Sequence, residues 1–311
     1  MVIEVVLPTY NGASYLEAQI ASIHAQTLRP ERVLLRDDGS TDGTLALITL
    51  LQQHYGPWLQ LLPSNGNLGC KANVNCLLEV TTAAYVALAD QDDLWLPQKL
   101  EQSLALMQQL EALHGAAMPL LVHSDMELVD AQARPMGTCF LKCQGLDPKR
   151  TAPVDLALTN VVTGCTTLLN RALLQKALPI PQQALMHDWW LALVASVFGQ
   201  IALVSELGVL YRQHGGNVLG AKGLGLTYWR QRLQNLLANP AAGGHTRAAL
   251  QQAELFERRY GQLLSALPPL LYLPRRRRWL ALLRLPPSQR PWKHGPLRTF
   301  GLCCLLVCLP R

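Results

Sequence analysis

Hydrophobic and polar positions alternate between two periods along the first hundred residues of the chain. VIEVVLP reads as a buried strand, because its apolar positions run nearly unbroken. SYLEAQIASIHAQT places Leu16, Ile20 and Ile23 at the i, i+4, i+7 spacing of a helix. RVLLRDD is a short strand, and TDGTLALITLLQQHY is a helix opened by a capping Thr or Asp. LQLLPS is a third short strand, KANVNCLLEVT a helix and AYVALAD a fourth strand. LPQKLEQSLALMQQLEALH is a long helix, with Pro97 expected in its first turn, where a missing N–H costs nothing. Strands alternating with helices predict an α/β fold: an open, mainly parallel sheet with helices on both faces.

The pattern loosens further on. PLLVHSDMELVD reads as another strand, and VDLALTNVVTGCTTLLNRALLQKAL mixes helix with a Gly-containing turn. ALMHDWWLALVASVFG reads as a helix that carries His187 and Asp188 at its start. IALVSELGVLYRQHGGNV reads as one or two short strands ending at a polar, Gly-rich loop. From about Gly220 the chain is helical and rich in Leu and Gln, then basic, with AAGG at 241–244 as a flexible link. There is no internal repeat.

Open α/β sheets bind ligands outside the carboxyl ends of their strands. The polar clusters fall there: PTYNG after the first strand, DDGSTDGT after the second, NGNLG after the third and DQDD after the fourth. Four strand ends carrying polar or Gly-rich loops make one site assembled from four loops.

Composition adds a gradient. The 311 residues are half hydrophobic and 15% charged, which excludes a disordered chain. The net charge is +6, yet residues 275–311 hold nine Lys or Arg and no acid. The rest of the chain is left with 18 basic and 21 acidic residues. The basic character therefore belongs to a tail. RRRRWLALLRL and CCLLVCL join a basic cluster to Trp279 and a Leu-rich face, as in segments that lie in a membrane interface. A core-packed helix with a solvated basic patch is the plainer reading. No apolar run reaches the roughly 20 residues that span a bilayer. MVIEVVLPTY has neither the charged n-region nor the long apolar stretch of a secretory leader. The eight scattered cysteines form no C-x-x-C pair, so reduced thiols and a cytosolic setting are expected.

Each cluster has a chemical and a plain reading. Asp90, Asp92 and Asp93 in DQDD suit a hard divalent cation, Mg²⁺ or Mn²⁺; one of them, Asp93 above all, could instead cap the next helix. Asp37 and Asp38 could meet a ribose or base, or only build a turn. Asn67 and Gly69, followed by Lys71 and Asn73, suit a nucleotide or a plain helix start. Asp188 beside Trp189 and Trp190 is a candidate general base, or a helix cap between core aromatics. Arg212 could meet a phosphate and His214 a metal or phosphate, or both could belong to a polar strand-end loop.

Taken in order, VVLPTYNGASYLEAQIASIHAQT, LLRDDGSTDGT, the N-x-G-x-x-x-A-x-N of Asn67 to Asn73, and DQDDLWLPQKL resemble family 2 glycosyltransferases of the GT-A fold. TGCTTLLNRALL, HDWW and YRQHGGNV resemble the bacterial rhamnosyltransferase-type branch, which extends the resemblance over about residues 1–220. The resemblance implies a nucleotide-sugar-binding half at 1–105, an acceptor-binding and catalytic-base half at 106–220, and a C-terminal helical, basic, membrane-associating region at 221–311. It implies Pro8, Thr9, Tyr10, Asp37, Asp38, Asn67, Lys71, Asp90 and Arg212 around the donor nucleotide, a metal at Asp90, Asp92 and His214, and Asp188 as the base. His187 stands where the family usually has Glu. The Q-x-x-R-W of processive synthases is absent, so transfer of one sugar is expected. The implied activity is inverting transfer, with dTDP-L-rhamnose favoured as donor and a lipid-linked saccharide of an envelope polysaccharide as acceptor. The implied location is the cytoplasmic face of a membrane, bound peripherally, with no nucleic-acid partner. Three alternatives compete. A sugar-phosphate nucleotidyltransferase needs a basic, Gly-rich N-terminal loop that PTYNGASYL lacks. A non-catalytic glycosyltransferase-like binder does not require Asp90, Asp92 and Asp188. A receiver domain is far shorter.

Overall fold

The computed structural model describes residues 2–214 and 244–261, together with positions 277 and 284. The elements, in chain order, begin with β1 (Ile3–Thr9), α1 (Leu16–His24), β2 (Arg32–Asp37), α2 (Thr44–Tyr55), β3 (Leu59–Leu61) and α3 (Cys70–Glu79). Next come β4 (Tyr85–Leu88), β5 (Leu94–Trp95), α4 (Lys99–His114), β6 (Leu120–His123), β7 (Met126–Val129) and β8 (Pro135–Cys139). They are followed by α5 (Phe140–Gln144), α6 (Pro153–Leu156), β9 (Leu168–Asn170), α7 (Arg171–Ala177), α8 (His187–Phe198), β10 (Gln200–Leu203) and β11 (Val209–Arg212).

Seven strands form the main sheet in the order β10-β6-β9-β4-β1-β2-β3. All neighbours are parallel except β9, which runs antiparallel to both β4 and β6. The mainly parallel expectation holds for this reason: β1, β2 and β4 are buried along nearly their whole length, as a sheet covered by helices requires. From β1 the chain winds outward to β2 and β3, then returns to lay β4 on the other side of β1. The order reverses between β1 and β4, so a crevice opens there at the carboxyl ends. PTYNG and DQDD flank that crevice.

Two sequence expectations need correction. PLLVHSDMELVD is two strands, not one. The chain breaks after His123, so β6 joins the main sheet and β7 joins a second sheet of order β5-β11-β7-β8. Pro97 lies two residues before α4, not inside its first turn, because Leu94–Trp95 first pairs with β11. Further along the chain, β6, β9 and β10 extend the sheet begun by β1 to β4.

The described chain divides into two compact units. The first comprises Met1–Phe140, Val162–Gln182 and Met186–Ala221 and holds both sheets. The second comprises Leu141–Val161, Gln183–Leu185 and Lys222–Arg311. Within it lies a 17-residue helix, Gly244–Tyr260, where Gln252 accepts the Leu185 N–H at 2.7 Å. No helix among the described residues is long and apolar enough to cross a membrane. The expected membrane-interface tail lies outside the described residues, apart from positions 277 and 284.

One buried charge anchors the opposite end of β1. Glu4, 2% exposed, accepts from Arg32 Nε at 2.9 Å and from the N–H groups of Thr82 and Ala83 at 2.8 and 3.2 Å. Burial alone would raise its pKa, but the Ala83 amide, Arg32 and the Thr82 amide together hold it below the usual range. A depressed carboxyl contributes stability near neutral pH and loses it as pH falls through the acid range. Glu4→Ala is expected to cost about 2 kcal/mol, because it strands those donors. Thermal unfolding at pH 7 and pH 4 tests this: the deficit should shrink at the lower pH, and an unchanged Tm at pH 7 would contradict it.

Candidate active site

At the ends of β1 and β2, Thr9 and Asp37 stand opposite one another in register. Thr9 Oγ1 donates to Asp37 Oδ2 at 2.9 Å, and Ser40 Oγ donates to the same oxygen at 2.6 Å. Asp37 Oδ1 accepts the N–H groups of Gly39 and Ser40 at 3.1 and 2.8 Å. Both Asp37 oxygens are thus engaged in folding the loop. Asp38 performs a second tie. Its oxygens accept the N–H groups of Leu68 and Gly69 at 2.7 and 2.8 Å, which fastens the NGNLG loop to β2. Arg36, a charge inside an apolar strand, braces Asp38 at 3.2 Å and Asn73 at 3.1 Å. Asn67 accepts the Gly69 N–H at 3.1 Å, and Lys71 Nζ donates to the Gln182 carbonyl. Pro8 lies inside β1, while Tyr10 is exposed beyond its end.

The DQDD turn is held from both sides. Gln91 donates through Nε2 to the Tyr10 carbonyl at 2.8 Å and accepts the Tyr10 N–H at 2.9 Å. Opposite, His214 Nε2 lies 2.9 Å from Asp92 Oδ2, and its ring stacks on Tyr15 at 4.6 Å. Arg212, the expected phosphate partner, donates to the carbonyls of Asp92 and Ala131 at 2.9 and 2.8 Å. It braces the turn. Asp93 is no helix cap: α4 starts after Gln98 with no side-chain cap. Asp93 is fully buried, and its Oδ1 accepts the Arg212 N–H at 3.2 Å. Oxygen and sulfur atoms of Asp90, Asp93 and Cys165 lie within 4.8 Å of one another. The sequence reading missed Gln91 and Cys165, and nothing local announces either.

Asp188 enters from α8. Its Oδ2 accepts the Gly164 N–H at 3.1 Å and its Oδ1 the Trp189 N–H at 2.6 Å. The N-cap position belongs to Met186, so Asp188 is not the cap. The aromatics follow the plainer reading: Trp190 is wholly buried and donates to the Ala177 carbonyl at 3.1 Å, and Trp189 is 4% exposed. Burial raises the Asp188 pKa, against opposition from His187 and from the Trp189 and Gly164 amides.

These groups converge. Burial, then Asp92, then Asp188 push Asp90 up to about 7. The Cys70 residue reaches the surface, yet crowding of its thiol and then the charges of Asp90, Asp188, Asp38 and Asp92 push it up to about 12. One thiol at the start of α3 therefore senses four carboxylates from two loops and a helix. Among the described residues Asp90 forms no ion pair. Two hard carboxylates in mutual repulsion, Asp90 and Asp92, fit a divalent cation; the edge at Asp92 and His214 adds a third candidate donor.

Gly164 is a tight point beside Asp188. A Cβ there would lie 2.9 Å from His187 Nε2 and 3.5 Å from Asp188 Cβ. Gly164→Ala is expected to displace His187 and cost about 1–3 kcal/mol. A thermal melt and a crystal structure of the variant test this; an unchanged Tm with the Gly164–Asp188 bond intact would contradict it.

Comparison with known proteins places this geometry. The sequence profile described as glycosyl transferase family 2 matches residues 4–177. A putative glycosyltransferase EpsE of Bacillus subtilis is 29% identical over 133 residues, covering 43% of this chain and 48% of that protein. An uncharacterized glycosyltransferase of Nostoc sp. is 27% identical over 227 residues, covering 70% and 66%. The chain spans about half the length of the first of these curated relatives and about two thirds of the second. Among solved structures, S. aureus TarS 1-349 in complex with UDP-GlcNAc aligns with a TM-score of 0.54 at 18% identity, over 99% of this chain and 82% of that one. The mannosyltransferase PcManGT from Pyrobaculum calidifontis, in complex with GDP-Man and Mn²⁺, aligns at 0.50 and 18% identity, over 98% and 84%. These two likenesses bear on the fold, which matches in its mixed sheet and helices. With the profile covering more than half of its residues, the chain belongs to glycosyltransferase family 2.

Proposed function

We propose that the chain transfers a single sugar from a nucleotide-sugar donor to a hydroxyl group of a saccharide acceptor, with inversion at the anomeric carbon. The observation that carries this reading is the meeting of Asp188 with Asp90 and Asp92 at the carboxyl ends of the sheet, where the charges of Asp92 and Asp188 both act on Asp90. Donor and base must stand within one crevice for a direct displacement.

The residues divide the work. PTYNG and NGNLG, tied down by Asp37 and Asp38, form the nucleoside side of the crevice. Pro8, Thr9, Tyr10, Asn67 and Lys71 belong to these loops or flank them. Asp90 and Asp92, with His214 beside Asp92, would hold Mg²⁺ or Mn²⁺, which when bound offsets the charge of the leaving diphosphate. Asp188 accepts the proton from the acceptor hydroxyl. The acceptor oxygen forms its bond to the anomeric carbon, and the nucleoside diphosphate leaves with the electron pair of the broken C–O bond. The Asp188 oxygens accept the Gly164 and Trp189 amides, and a carboxylate's several lone pairs leave room for the incoming proton. A carboxylate whose pKa is raised by burial is a better base than an exposed one. UDP-GlcNAc and GDP-Man in the structural relatives support a nucleoside-diphosphate sugar as donor class. The branch resemblance favours dTDP-L-rhamnose, and the basic, Trp-bearing tail favours a lipid-linked acceptor at a cytoplasmic membrane face.

Asp188→Asn is expected to lower nucleoside diphosphate release by about 10²–10⁴-fold while donor binding persists. A donor panel assayed by that release, with titration calorimetry for binding, checks both parts; wild-type turnover would remove Asp188 from its role. Chelation with EDTA should abolish release and added Mn²⁺ restore it. Full activity in EDTA would dismiss the cation from Asp90 and Asp92.

A further inference from the structure

The loop after β1 meets the acidic turn at both flanks. At one, Gln91 pairs with the Tyr10 backbone. At the other stands Tyr15, half-buried at the N-cap position of α1. Its ring stacks on that of His214, with centroids 4.6 Å apart and planes at 29°. The guanidinium carbon of Arg212 lies 5.0 Å from the Tyr15 ring centroid. These two partners are the groups that hold Asp92. His214 Nε2 lies 2.9 Å from Asp92 Oδ2, and Arg212 Nε donates to the Asp92 carbonyl at 2.9 Å. One aromatic ring from the first loop therefore backs both the side-chain and the main-chain contact of Asp92. The ring is itself well mounted. The Tyr15 N–H donates to the Gly12 carbonyl at 3.0 Å, the Tyr15 carbonyl accepts the Gln19 N–H at 3.2 Å, and the Gly12 N–H donates to Thr44 Oγ1 at 2.9 Å.

We propose that Tyr15 is a positioning residue for the cation end of the site: its ring holds the His214 imidazole against Asp92 and the Arg212 guanidinium against the Asp92 carbonyl. The inference rests on the proposed cation at Asp90 and Asp92 for its functional part, and on the Tyr15–His214–Arg212 contacts for its physical part. An imidazole turns about two side-chain bonds, and a narrow range of settings keeps Nε2 at hydrogen-bond distance from a carboxylate. A flat neighbour removes the settings that would cut into its ring. Aromatic pairs favour offset stacking, and guanidinium groups stack on tyrosine, so both contacts favour the arrangement that grips Asp92. Both contacts belong to the ring rather than to the hydroxyl. Phenylalanine should therefore serve as well as tyrosine, and an aliphatic side chain should not. Since Gln91 ties the same loop to the turn, the loop on the nucleoside side of the crevice also sets the cation side.

The test uses the full chain with Tyr15→Leu, Tyr15→Phe, His214→Ala and the Tyr15→Leu/His214→Ala pair. Each is read by calorimetric Mn²⁺ titration, by Tm and by steady-state kinetics. Tyr15→Leu should weaken Mn²⁺ binding about fivefold and raise the donor KM to a similar extent, with the acceptor KM unchanged. Loss of folded protein alone would lower apparent kcat and leave both KM values in place. Tyr15→Phe should stay within about twofold of wild type in Mn²⁺ affinity and donor KM. On the His214→Ala background, Tyr15→Leu should cost at most about twofold in Mn²⁺ affinity and less than half of the Tm it costs in wild type, because a partner it positions is gone. Mn²⁺ affinity within about twofold of wild type in Tyr15→Leu, equal losses in the Leu and Phe variants, or losses that add in the pair would overturn the proposal. So would failure of Tyr15→Leu to fold, since a positioning role leaves the fold intact. Should the wild type bind no Mn²⁺, the cation reading falls, while the Tm cycle still decides whether Tyr15 and His214 are coupled.

Discussion

Negative charge placed beside negative charge, at the end of a buried strand, raises the energy of every group involved. Asp90, Asp92 and Asp93 follow β4 within four residues, and Asp188 arrives from α8 to join them. A fold does not gather such charges for stability. The rest of the first unit can be understood as the means of holding them together. Gln91 clamps the turn to β1, Arg212 holds its carbonyl, His214 and Tyr15 flank Asp92, and Gly164 and Trp189 orient Asp188. Lys99 lies buried over the ring of Trp95, which follows the turn.

The placement follows from topology. Because strand order reverses between β1 and β4, the loops after these two strands separate and leave a crevice. Asp37 and Asp38 then hold backbone amides of Gly39, Ser40, Leu68 and Gly69, so the loops after β2 and β3 arrive already shaped. Preorganisation of this kind lowers the ordering cost of binding.

The sequence was legible where local rules decide the outcome. The buried runs of β1, β2 and β4, the helices between them, and the polar clusters at their ends could all be seen, because burial on both faces demands apolar runs and loops demand polar ones. What escaped depended on partners far away in the chain. Asp93 looked like a cap because Pro97 and a helix follow it, yet its partner is the Arg212 N–H, 119 residues on. Arg212 also finds two carbonyls from distant segments, those of Asp92 and Ala131. Leu94–Trp95 is a strand of two residues, too short to carry a period, and β9 is a three-residue antiparallel insertion within an apolar stretch. Lys99 reads as an ordinary polar residue at a helix start, and only the slot opened by Gly208 shows where its stem runs.

The central claim is that the clustered carboxylates form one nucleotide site completed by a cation. Calorimetric titration of the wild-type chain with UDP, GDP and dTDP, with and without Mn²⁺, tests it most directly. The account predicts that at least one nucleoside diphosphate binds with Mn²⁺ present and loses about tenfold or more in affinity without it, since the diphosphate then meets uncompensated charge. Equal affinity in the presence and absence of the cation, for every nucleotide that binds, would contradict it.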